Sequence, residues 1–164
     1  MCDAYRNRIG EIIVKEIINM KIIDSEQIWK GSFSYLEGDD VFDSYIEVSF
    51  KMSLTFDGDS FIGTRTDSES ESIITEPILV KGFIENDKIS FVVNYPYYYY
   101  KDENDKILVD KNLSHPNIEY LGYYDQIEKK FSGTWEMIIN EEKITEEEYL
   151  EEIIGGEFEI FREK

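Results

Sequence analysis

Trp29-Lys30-Gly31-Ser32-Phe33-Ser34-Tyr35 is the stretch that most limits what this chain can become. Trp29, Gly31, Phe33 and Tyr35 share one parity, and Lys30, Ser32 and Ser34 share the other. A strand turns successive side chains to opposite faces, so this is one wet face and one face of large rings relieved by a glycine. The device recurs in Phe61-Ile62-Gly63, Tyr120-Leu121-Gly122 and Phe131-Ser132-Gly133. Glycine beside an inward ring lets a neighbouring ring or backbone approach closely, which suits a curved sheet.

The same alternation runs through most of the chain. Strand spans are expected at about 28–36, 45–56, 60–66, 77–85, 88–95, 118–125, 130–139 and 157–162. Ile46, Val48, Phe50, Met52, Leu54 and Phe56 share a face in the second, and Asp57-Gly58 after it is a hairpin signal. Two helices are expected as well. Residues 3–23 place Ile9, Ile13, Ile17 and Met20 at helical spacing behind Asp3, and Thr145-x-x-Glu148 resembles a capping box that starts a short acidic helix to about 153. Residues 101–117 read as a long polar loop. The fold expected is all-β: an eight-stranded antiparallel up-and-down barrel over 28–163, with an N-terminal helix in 1–24 and a short helix before the last strand. Closure would remove the sheet edges. A β-sandwich is the competing architecture.

Composition narrows the function. The 164 residues suffice for one domain with a real core, and 41% are hydrophobic, which excludes a disordered chain despite the charge. Net charge is −19, so direct nucleic-acid binding is not expected, because that rests on basic patches. An acidic surface serves solubility or a basic protein partner. The single cysteine, Cys2, excludes an internal disulfide. The N-terminus lacks a signal-peptide layout and no stretch is apolar enough to span a bilayer, so the expected location is cytoplasmic.

No catalytic motif stands out. Asp57-Gly58-Asp59 lacks further calcium ligands at the required offsets, with Phe61 in the place of the third. His115 is the only histidine, no serine lies in a nucleophile elbow, and 36 acids make close carboxylate pairs inevitable. No cofactor, no metal site and no enzymatic activity are expected. Tyr97-Tyr98-Tyr99-Tyr100 cannot all face inward on a strand. They form either an interaction surface or a barrel rim packed on the loop that follows. Inside the barrel, Trp29, Phe33, Tyr35, Phe91, Tyr95, Tyr120 and Trp135 would converge with Arg65 and Arg162. Those rings either fill the barrel or line a cavity for one small ligand.

The pattern resembles the calycins, the superfamily of lipocalins, fatty-acid-binding proteins and avidins. Its members place a Trp at the start of the first strand beneath a basic side chain from the last, and Trp29 and Arg162 hold those places. Phe131-Ser132-Gly133-Thr134-Trp135 is similar to the Gly-x-Trp of calycin first strands, although here it falls late, while the first strand reads Trp-x-Gly. The resemblance implies the barrel and a cation–π contact between Arg162 and Trp29, worth about 0.5–2 kcal/mol. It transfers no ligand. Two functions follow as expectations. One is a non-enzymatic barrel binding a small apolar or aromatic molecule. The other is an acidic interaction module, of inhibitor, immunity or nucleic-acid-mimic type, binding a basic partner.

Overall fold

The computed structural model describes residues 26–37 and 44–164. The helix expected over 3–23 lies outside them. Ten strands follow in order: β1 (Glu26–Glu37), β2 (Ser44–Asp57), β3 (Ser60–Asp67), β4 (Ile78–Glu85), β5 (Lys88–Asn94), β6 (Tyr98–Lys101), β7 (Ile107–Asp110), β8 (Ile118–Asp125), β9 (Lys130–Lys143) and β10 (Tyr149–Arg162). Eight of them close an antiparallel barrel in the order β1-β10-β9-β8-β5-β4-β3-β2. Each strand neighbours the next along the chain, except that β6 and β7 form a separate hairpin between β5 and β8. The up-and-down barrel therefore forms, and the sandwich does not.

Period-two patterning builds it. β2 buries Val48, Phe50, Met52 and Leu54 while the intervening residues stay wetter. β5 does the same with Ile89, Phe91 and Val93. Burying one such side chain contributes about 1.5–3 kcal/mol. The middle of the barrel is solid. Phe91 stacks on Tyr120 with centroids 4.5 Å apart, and Phe158 meets both rings edge-on. Gly122 is what admits Phe158: a Cβ there would lie 2.8 Å from the tip of that ring.

Two expectations need correction. The acidic helix from Thr145 to about 153 does not form, and there is no helix among the described residues. Thr145 Oγ1 does accept the N–H groups of Glu147 and Glu148, as a capping residue would. The Ile144 and Thr145 N–H groups then bond back to the Glu148 carbonyl, which closes a hairpin instead. Tyr149, Ile153 and Ile154 suit a strand, and they pair with Lys143, Ile138 and Met137 of β9. The final strand thus begins at Tyr149, well before residue 157. Likewise, 101–117 is not simply a loop. Ile107-Leu108-Val109 supplies β7, which pairs with the tyrosine run.

Candidate functional site

β3 carries its inward parity to the end: Phe61, Gly63, Arg65, Asp67. Arg65 is thereby driven into the barrel, where it is 2% exposed. Its guanidinium lies 4.3 Å from the Phe50 ring centre and 4.9 Å from that of Phe33. Nη1 donates to the Tyr120 hydroxyl at 2.8 Å, and Nε stands 3.9 Å from Asp67 Oδ2. Among the described residues neither Nε nor Nη2 has a hydrogen-bond partner. Burial opposes the arginine charge, but Tyr120, Tyr95 and Asp67 outweigh it and the pKa is raised. Two idle donors on a buried charge are expensive, since each unsatisfied group costs about 1–3 kcal/mol.

Asp67 is well served by comparison. It accepts the Tyr95 hydroxyl at 2.5 Å, and both the backbone N–H and Oγ of Ser70 at 2.8 Å. Burial holds the Tyr95 and Tyr120 hydroxyls above the usual phenol range.

A second polar layer lies above, under the β6–β7 hairpin. Glu69 accepts the Tyr35 hydroxyl at 2.6 Å, and Lys101 Nζ donates to that same Tyr35 oxygen at 2.8 Å. Burial, then Glu69, pushes the Tyr35 pKa up to about 12. His115 packs its ring against Tyr95 and Tyr99, with centroids 4.8 and 5.1 Å away. Its Nδ1 is 2.7 Å from the Pro116 carbonyl oxygen, which can only accept, so the proton sits on Nδ1. Burial lowers the His115 pKa, so the neutral ring presents Nε2 as an acceptor.

These layers surround a pocket of about 300 Å³ at the capped end, lined by Phe33, Tyr35, Tyr99, His115, Tyr120 and Trp135 among others. Its size lies at the lower bound for small-molecule sites. The opposite end holds a larger basin, about 730 Å³, over Trp29, Phe56, Tyr124 and Phe131. Polarity there sits at the rim, where Lys130 is already paired with Glu128 and Glu159 at 2.7 and 2.6 Å. The capped pocket is the better candidate, because unspent donors lie directly behind its wall.

The expected interior residues divide accordingly. Phe33, Tyr35, Tyr120 and Trp135 line the capped pocket, with Arg65 and Tyr95 behind them. Phe91 belongs to the solid middle. Trp29 and Arg162 are at the other end, across from each other in the β1–β10 ladder. Arg162 is exposed, however, and Trp29 packs instead against Phe56 and Phe131. The guanidinium that covers rings is that of Arg65. The Ile28 carbonyl, entering β1, accepts the backbone N–H of Glu163.

The tyrosine run is not a continuous surface. Tyr97 is buried and donates to Glu76 at 2.7 Å, Tyr98 and Tyr99 are half-buried, and only Tyr100 is exposed, at 42%. Strand parity and the His115 ring draw the run into the cap. Reading the sequence missed Asp67, Glu69, Lys101 and His115 as site residues. Asp67 could have been found by extending the β3 parity one step further; the others come from the cap and left no such signal. Among the described residues no group of acidic, histidine and cysteine side chains is arranged to hold a metal, and no helix is long and apolar enough to cross a membrane. The chain matches no family model, no curated protein and no solved structure.

Proposed function

We propose that the protein is a non-enzymatic, calycin-like barrel that binds a small aromatic or apolar molecule bearing a carboxylate or comparable acceptor at its capped end. The observation that carries this is Arg65: a fully buried cation with two unpartnered donor nitrogens, behind a pocket walled by Phe33 and Tyr120. Rings on the wall offer stacking to the ligand body, and an acceptor passing between Phe33 and Tyr120 would meet the guanidinium fork. His115 Nε2 would receive a donor from the ligand.

Thermal shift and calorimetry with benzoate, indole-3-carboxylate and their primary amides test this. The carboxylates should bind more tightly than the amides. That preference should vanish in Arg65→Met, and binding itself in Met137→Trp, which fills the pocket from β9. Equal binding of acids and amides, or binding untouched by the pocket-filling change, would overturn the reading. The second reading, an acidic module for a basic partner, draws support from the acidic outer edge of β10.

A further inference from the structure

The barrel is zipped along only part of its β1–β10 seam. Pairing runs from Trp29–Arg162 to Phe33–Phe158 and ends there. Beyond it, among the described residues, 34–37 of β1 ladder with β2 alone, and 149–157 of β10 ladder with β9 alone. The split begins at Ser34, whose carbonyl accepts the Trp135 indole N–H at 2.9 Å. β9 stays paired with β8 as far as Met137; beyond it, from Ile153 back to Tyr149, β9 and β10 run on as a two-stranded arm with a register shift between Glu152 and Ile153. Ser34 Oγ still donates to the Glu157 carbonyl at 3.4 Å, but among the described residues nothing pairs with the outer edge of β10 over Tyr149–Gly155.

An unpaired strand edge is a row of backbone donors and acceptors ready to accept another strand. This one also carries apolar side chains in water: Leu150 is 58% exposed and Ile153 52%, with Ile138 and Ile154 beside them. A bare two-stranded ribbon is marginal in water, so a third strand would add to its stability. Charge identifies the occupant. Residues 141–157 hold eight glutamates and one lysine. A second copy would set the same acids against each other, and like charges opposed across strands are destabilising.

We infer that the free edge of β10, Tyr149–Gly155, is a docking site for an extended basic segment of a partner protein, which adds to it as a further strand. Backbone pairing supplies the geometry, Leu150 and Ile153 the apolar anchors, and the glutamates the selection for lysine and arginine. Ile154 and Gly155 also line the capped pocket, but the edge is argued from backbone pairing and charge and not from Arg65.

The test uses the full chain and a fluorescent peptide of alternating lysine and valine, about ten residues long to match a strand. Its control is the same peptide N-methylated at two adjacent central residues, which removes a donor from each edge without changing charge. The unmodified peptide should bind roughly tenfold tighter than the control, weaken as salt rises, and slow hydrogen exchange of amides within 149–155. Reversing charge in the double variant Glu151→Lys, Glu152→Lys should lower affinity roughly tenfold while leaving the barrel's melting temperature in place. Four results would overturn the inference: no binding, equal affinity for both peptides, protection in the free protein of those amides of 149–155 that face away from β9, or a concentration-dependent dimer that covers the edge. Equal affinity would mean that the acids attract cations in general; prior protection would mean that this chain covers its own edge.

Discussion

The two ends of the barrel are built by the same alternation and come out chemically opposite. At the open end the inner parity terminates in carbon: Trp29, Phe56 and Phe131 pack on one another. At the capped end it terminates in Arg65, Asp67, Tyr35 and Tyr95, linked by charge-assisted contacts. Rings ask only for area, whereas buried polar groups ask for particular partners. One end should therefore tolerate change by degrees, and the other should fail when a single partner is removed.

The largest test of that contrast is Asp67→Ala. It strips Arg65 of its buried countercharge and orphans the Tyr95 hydroxyl, so chemical denaturation should show a loss of about 3–5 kcal/mol. Adding Arg65→Met should return most of it, because a buried ion pair replaced whole by apolar groups is often neutral. If the double variant is no better than the single, the partners are not acting as a pair. Next comes Trp135→Phe, which keeps a ring but leaves the Ser34 carbonyl without its indole donor. A loss of about 1–3 kcal/mol is expected in the same urea melts.

Smaller again is the effect of His115. Its pKa is lowered in the fold from the ordinary 6.5. Between the depressed value and 6.5 the unfolded chain binds the proton and the folded one does not, so stability rises with pH there. The contribution is fully present above about 6.5 and is lost as pH falls through that value toward the folded pKa. Wild type should therefore lose stability relative to His115→Gln in melts taken downward from pH 7, and parallel curves would refute it. The smallest effect belongs to the open end: Arg162→Ala should stay within about 0.5 kcal/mol of wild type, since the side chain is exposed and stacks on no ring among the described residues.

The barrel was legible in the sequence because its strands are long, strictly alternating and punctuated by turns such as Asp57-Gly58, where Gly58 adopts φ 61°. What could not be read were features decided by partners far along the chain. Thr145 makes the hydrogen bonds of a capping residue whether a helix or a hairpin follows, and pairing with β9 chose the hairpin. Nor could the use of Gly156 be read: a Cβ there would lie 1.8 Å from the Ser34 carbonyl oxygen, so glycine serves close approach at the seam. Arg65 was legible as an inward residue on β3 parity. Its partners were not, because Asp67 closes β3 and Glu69 lies in the connection to β4, while Lys101 comes from the β6–β7 hairpin and His115 from the segment after it.

The seam also bears on how the molecule is assembled in time. Its ladder has five residue pairs, against twelve between β1 and β2 and twelve between β9 and β10. The groups it joins, such as Lys30 and Glu163, are 133 positions apart. The other junctions join strands that follow one another in the barrel order along the chain, the widest being β5–β8 across the inserted β6–β7 hairpin, while this one must wait for the whole chain to arrive. Closure is thus the slow, entropically costly step of folding, secured by the shortest ladder of the three. The native barrel should open first along β1–β10, as a sheet unrolled at one edge, well before the hairpins that flank it let go.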